Sequence, residues 1–273
     1  MRSFILFLLL IFIAGSLSAQ EPAKYRITYD CNAQIITGKY SKHRWTLDIG
    51  ENTSIFYNLN YRLFTTEMEE IRATGDAMAL IAQLPALGKK YPTKSDLQIV
   101  TGLPKNGEYS YYHQVSTSKL KYEEPLPTID WQMTDSTRTI CEYECQQAIG
   151  KVYGRTWTVW YATDLPLNYG PYVLQGLPGL ILAAKDSEGL FEYVAVGIEN
   201  APEDATICVY DEASYQKSTR KRFMKMRTES EGMSHRQALE RALGGNKVYS
   251  VRDKNGKEIL DDERPKKNYL DKE

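Results

Sequence analysis

Few residues in this 273-residue chain are equipped for chemistry. There are four cysteines, Cys31, Cys141, Cys145 and Cys208, and three histidines, His43, His113 and His235. Zinc sites need cysteine and histidine at short fixed spacings, such as Cys-x-x-Cys or His-Glu-x-x-His. Cys141 and Cys145 stand four apart, and no two histidines are close enough to share a turn. The sequence therefore offers no metal site and implies no cofactor. The strained Gly-x-Ser-x-Gly elbow of an α/β-hydrolase nucleophile is absent. Paired carboxylates of the kind that cleave glycosides could be drawn from many positions. Glu142, Glu144 and Asp164 flank the densest motif region, where solvent-facing strand carboxylates are the simpler account.

What the cysteines do depends on where the chain works. Met1-Arg2-Ser3 supplies one positive charge, Phe4 to Ile13 is an unbroken run of ten apolar residues, and Ala14 to Ala19 is made mostly of small ones. Those are the three parts of a secretory signal peptide with cleavage before Gln20. The apolar run is about half of the ~20 residues a membrane span requires. We expect residues 1–19 to be a signal peptide and the remainder to be exported, to the periplasm, cell surface or medium, without spanning the membrane. In an oxidising compartment an even cysteine count favours disulfides. The stretch around Cys141 and Cys145 (TICEYECQQA) reads as one strand, which would hold residues four apart ~13 Å from each other. A disulfide needs Cα atoms within ~7 Å. Cys31 is then expected to join Cys141 or Cys145, and Cys208 the other.

Composition narrows the partners. Lysine plus arginine number 34 against 35 acidic residues, so the basic excess of a nucleic-acid binder is missing. The one basic run, Lys217 to Arg227, carries six cations and no acid. A solvated helix face explains it, and weak contact with an anionic envelope surface is its sharper reading. Twenty tyrosines lie largely in alternating stretches, as in sheets with one wet face.

The elements follow from periodicity. Alternation of apolar and polar residues predicts strands at Ala23–Cys31, His43–Ile49, Ser54–Leu59, Asp96–Val100, Tyr109–Val115 and Ile129–Met133. Arg138–Val152 with Arg155–Thr163 reads as a hairpin, as does Leu180–Lys185 with Leu190–Ile198. Helical spacing over residues 62–90, ending at Pro85 and Gly88, forms an insertion. Helices return over residues 214–243, where Ser234 and Gln237 make a capping-box pattern. Asn255-Gly256 marks a last hairpin turn, and the charged tail from Asp261 is expected to fray.

One segment carries a family resemblance. Gly170-Pro171 leads into Gly176-Leu177-Pro178-Gly179-Leu180-Ile181, and this core resembles the defining motif of the GLPGLI family of exported bacterial proteins. Trp131-Gln132-Met133, the Tyr143-x-Cys145-x-x-Ala148 block, Gly154-Arg155, Trp160-Tyr161, the Trp45-x-Leu-x-Ile49-Gly50 step and Arg264-Pro265-Lys266-Lys267-Asn268 are similar to it too. Cys141 stands where the family's block has glycine, and the insertion has no counterpart. The resemblance implies an exported address and no established activity. Read physically, Pro178 fixes φ while Gly176 and Gly179 allow backbone angles or approaches closed to other residues. The loop should therefore press Leu177, Leu180 and Ile181 into the core.

The expectation is one mainly β (α+β) domain over residues 20–273, with a curved or partly closed antiparallel sheet and helices packed to one side. It would act as a non-enzymatic binding or scaffold protein for a protein, peptide or apolar ligand. The competing reading is an exported hydrolase acting on glycans or peptides.

Overall fold

The computed structural model describes residues 21–92, 95–253, 255–260 and 266–272. The expected signal peptide, residues 1–19, lies outside them. The first strands are β1 (Glu21–Pro22), β2 (Tyr25–Ile36), β3 (Lys39–Ile49) and β4 (Ser54–Asn58), followed by helices α1 (Leu59–Ala73) and α2 (Ala77–Lys90). Then come β5 (Gln98–Thr101), β6 (Glu108–Val115), β7 (Ser118–Pro125), β8 (Gln132–Ile140), β9 (Tyr143–Val152) and β10 (Arg155–Ala162). The rest are β11 (Leu180–Asp186), β12 (Phe191–Asn200), β13 (Thr206–Ile207), β14 (Gln216–Lys217), α3 (Arg220–Glu231) and α4 (His235–Ala242).

Among the described residues twelve strands form one sheet, ordered β14-β7-β6-β5-β4-β3-β2-β12-β11-β10-β9-β8, and β1 pairs with β13 separately. All pairings are antiparallel except β14 with β7. The end strands β14 and β8 do not pair with each other, so the sheet is not closed. It is nonetheless strongly bent. Tyr153, in the turn before β10, meets Tyr109 of β6 hydroxyl to hydroxyl at 2.8 Å. Those strands stand seven places apart in the sheet, ~34 Å if it were flat at ~4.8 Å per strand.

Alternation places one side chain set inside this bend. Ile27, Tyr29, Cys31 and Ala33 of β2, Trp45 and Leu47 of β3, Phe56 of β4 and Tyr193 of β12 belong to the main core. Trp45 stacks on Phe56 at 4.9 Å, and Phe223 of α3 packs edge-on against Tyr111 and Tyr122. Such aromatic pairs add ~0.5–1.5 kcal/mol each beyond their area burial. A smaller core lies on the other face, from Ile55, Tyr57, Val100, Tyr112, Ile207 and Tyr215. Every residue of β4 is buried because the strand has core on both faces.

Several expectations are corrected. Arg138–Val152 is two strands: Cys141 (φ 48°) and Glu142 (φ 68°) form a two-residue turn with Ile140 opposite Tyr143. Positive φ at both central positions is the hairpin geometry that suits strand twist, here without the usual Asn-Gly. The insertion helix does not end at Leu84; α2 runs through Pro85 and buries Leu87. Of the helices, α3 covers the inner face at β6 and β7, α1 contacts β3 and β4, and α2 packs against α1. The tail is not frayed at residues 266–272, where Leu270 and Asp271 are buried.

The loop before β11 shows why its glycines matter. Gly176 sits at φ 96°. Gly179 needs no unusual angle, but a Cβ there would lie 2.1 Å from the Ala162 carbonyl oxygen. Leu177, Leu180 and Ile181 are buried, as are Gly170 and Pro171, whereas Pro178 is exposed. We predict that Gly179→Ala costs on the order of 1–3 kcal/mol through overpacking, lowering the calorimetric midpoint by roughly 5–10 °C. Gly88→Ala, with nothing within 4 Å of the added carbon, should hold or raise it. Equal midpoints for both variants would contradict the close-approach account.

Candidate functional site

The inner face of the bend is not completely filled. A cavity of about 550 Å³ remains between the sheet, the end of α3 and the C-terminal segment. Its apolar wall comes from Cys31, Ala33 and Ile35 of β2, Trp45 of β3, Tyr111 of β6 and Phe191 and Tyr193 of β12. Its lining also holds polar groups, Asp96, His113 and Gln114 with Ser95 and Ser116, and the His113 ring lies 6.4 Å from that of Tyr111. Lys267 to Leu270 roof it, and Tyr61 from the first turn of α1 reaches its edge. The volume falls in the ~300–1,000 Å³ range of small-molecule sites.

The roof is held from both ends. The Asn268 N–H donates to the Ile35 carbonyl (2.8 Å), and the Thr37 N–H donates to the Lys266 carbonyl (2.9 Å). The segment thus adds to β2 like a short extra strand. Arg155 donates from Nε and Nη2 to the Tyr269 carbonyl at 2.9 and 2.6 Å, and from Nη1 to buried Asp186 at 2.6 Å. Arg227 of α3 donates to the Asp271 carboxylate at 2.5 Å and lies 4.0 Å over the Tyr269 ring. The Lys272 N–H closes the strap onto the Tyr153 carbonyl (3.0 Å). It therefore crosses from the β2 end of the bend to the β9–β10 turn.

Among these polar groups, His113 Nδ1 lies 2.6 Å from Asp96 Oδ1, and the Gln114 N–H donates to Asp96 Oδ2 at 2.9 Å. Burial works to raise the Asp96 carboxyl, but the charge and hydrogen bonding of His113 outweigh it and hold the group below its ordinary 3.8. Asp96 is thus kept ionised beside the His113 ring. The Cys31 thiol is pushed up to about 12 by burial, which leaves it an inert wall group rather than a nucleophile.

The sequence-stressed residues scatter. The GLPGLI-like loop does not line the cavity; Trp131 Nε1 donates to the Gln175 carbonyl beside it (2.8 Å), locking the loop to the entry of β8. All four cysteines are thiols here. Cys31 and Cys145 lie in the inner core, and Cys141 donates to the Ala195 carbonyl at 3.3 Å. Cys208 lines a depression with Val100 and Tyr112 on the outer face. In this arrangement Cys208 and Cys145 lie on opposite faces of the sheet. Glu142, Glu144 and Asp164 are exposed. His43 is buried beside Ser41 (2.7 Å), and His235 opens α4. Among the described residues no group of three or more His, Cys, Asp or Glu is placed to hold a metal ion.

The basic run is largely spoken for. Lys217 pairs with Glu123, Lys225 with Glu229, and both Arg220 and Arg227 turn inward to Asp271. Lys221 and Arg222 remain. Sequence reasoning singled out Trp45 and Lys266-Lys267-Asn268 only for their resemblance, and it missed the pairing of Asp96 with His113. A signal for the latter existed, since His113 alternates in phase with Tyr109, Tyr111 and Val115 along β6.

Fold and cavity together define an open, strapped β-bowl. No family model matches the chain, and no curated protein matches its sequence. Among solved structures its fold is similar to PNGF-II. In the C2 crystal form the TM-score is 0.51 at 16% identity, covering 78% of this chain and 34% of that one. The P21 form gives 0.50 at the same identity and coverage. The chain thus spans about a third of the length of PNGF-II, and the likeness is one of fold. No helix among the described residues is long and apolar enough to cross a membrane.

Two predictions follow from this geometry. Asp271→Asn leaves Arg227 and Arg220 without their carboxylate; for a buried pair this costs ~3–5 kcal/mol. Urea midpoints should fall and protease should cut first near residues 266–272, whereas parent-like resistance would show that the strap does not depend on the pair. Asp96, with its lowered value, contributes stability above the ordinary carboxylate range, lost as pH falls through the folded value. Unfolding free energy of the parent should therefore drop more steeply below about pH 3.8 than that of Asp96→Asn. Parallel profiles would contradict the assignment.

Proposed function

We propose that this chain is an exported binding protein of the GLPGLI type whose cavity takes an apolar, single-tailed ligand with a polar head. The observation that carries the reading is the mixed lining of the cavity. Trp45, Tyr111, Phe191 and Tyr193 supply apolar surface, and Asp96, His113 and Gln114 supply a few polar groups beside it. Burial against such a wall is favourable at ~25 cal/mol per Å² of apolar surface, and the polar groups would orient what enters. The strap would confine the ligand, and its hydrogen bonding to β2 shows how an extended peptide could lie there instead.

A second reading, hydrolysis, draws on the close approach of Asp96 and His113 in the cavity, a carboxylate beside a candidate general base. The high thiol value of Cys31 leaves it without a cysteine nucleophile, so water would have to serve. His113→Gln would abolish hydrolysis under that reading and would only tune affinity under the first.

The test is uptake of an environment-sensitive naphthylamine dye. The parent should bind it with a fluorescence rise that fatty acid competes away. Ala33→Trp, filling the wall at a fully buried position, should lower affinity by at least tenfold. Val196→Trp, at a half-exposed outer position, should not. Equal binding by both variants, with parent-like melting, would sink the reading.

A further inference from the structure

Four side chains of the cavity lining hold polar atoms that the protein leaves unpartnered. Tyr111 of β6 is 4% exposed and its ring stacks on Tyr122 at 4.8 Å, yet its hydroxyl makes no hydrogen bond among the described residues. The same holds for the indole N–H of Trp45, also 4% exposed, whose ring stacks on Phe56. Tyr61 of α1 bonds through its backbone alone, and its hydroxyl has no partner among the described residues. His113 turns Nδ1 to Asp96, which leaves Nε2 unengaged. All four residues line the same cavity. Buried tyrosine hydroxyls and indole N–H groups usually find a partner. Other buried tyrosines here do: Tyr29 donates to the Ile181 carbonyl at 2.7 Å, Tyr57 to Asp48 at 2.9 Å and Tyr161 to Gln146 at 2.7 Å.

The chemistry of the unpartnered atoms says what they take. An indole N–H only donates, a phenol hydroxyl can donate, and a protonated imidazole donates from both nitrogens. Among the described residues Asp96 is the only acid in the lining, and both its oxygens are engaged, by His113 and by the Gln114 N–H. A cationic head would therefore find no free carboxylate there. Lys267 of the strap adds a basic residue to the same lining. What complements this set is a head group of acceptor oxygens carrying negative charge, to which hydrogen bonds are roughly twice as strong as between neutral groups. A carboxylate accepts about four hydrogen bonds on two oxygens.

Resting on the cavity reading above, we propose that the ligand is a long-chain carboxylic acid whose carboxylate is held by Tyr111, Trp45 and His113, with Tyr61 at the edge. These donors set the head-group specificity, while the apolar wall takes the tail. Displacement of the naphthylamine dye from the full mature chain by laurate, dodecanol and dodecyltrimethylammonium tests it. Laurate should displace at a concentration at least tenfold below that of either other chain. Tyr111→Phe should weaken laurate roughly tenfold and leave dodecanol unchanged. Because the hydroxyl has no protein partner to lose, the melting temperature of this variant should stay parent-like, whereas a purely structural role would lower it. Tyr61→Phe, nearer solvent, should weaken laurate in the same direction. Equal displacement by the three chains, preference for the ammonium, or a parent-like head-group ratio in both variants overturns the proposal. A parent that takes up the dye without head-group preference keeps the cavity reading and loses this assignment; a parent that takes up no dye loses both.

Discussion

The structure depends on covering the inner face of one bent sheet. Twelve strands form a single open layer whose inner face carries the main core, and the only other sheet among the described residues, the two-stranded β1–β13, contributes Ile207 to the smaller core on the outer face instead. The bend brings distant strands within reach, and the Tyr109–Tyr153 contact records how far it goes. What the bend leaves uncovered must be roofed by α3 and the last residues of the chain. Phe223 fills the gap above Tyr111 and Tyr122, and the strap from Lys266 to Lys272 closes the rest. Since the strap is polar and charged in sequence, it docks only because Arg155 and Arg227 supply buried partners for its carbonyls and for Asp271. Roof and cavity are thus one consequence of an incomplete enclosure.

That dependence explains what could be read in advance. Strand β2 was legible because each second residue is apolar, and the α4 start because Ser234 and Gln237 cap each other as the spacing suggests. Pairing was not. β2 joins β12, with Cys31 opposite Tyr193, across more than 150 residues that carry no local signal. The Cys141-Glu142 turn was missed because neither residue favours positive φ, and the strands on each side dictate it. The tail read as frayed because its charges look solvated until Arg155 and Arg227 are brought to them by the fold.

The candidate site was the least legible part. His113 alternates in phase with the buried Tyr109 and Tyr111 of β6, but Asp96 lies before β5, and only the β5–β6 pairing sets the two side by side. The motif that named a resemblance proved to be packing. Its glycines let the chain pass against Ala162, and its leucines fill the core. The features that bear on binding come instead from strand residues such as Tyr111 and Phe191, and from Trp45 and the terminal segment, whose resemblance said nothing of a cavity.

The central claim is that the space beneath the strap is a ligand site and not a packing defect. Hydrogen–deuterium exchange with and without lauric acid tests it most directly. Binding in the cavity predicts slowed exchange at the amides of residues 31–37, 111–114 and 266–272 together, with the outer-face residues of β13 unchanged. Protection spread evenly over the chain, or confined to α2, would contradict it.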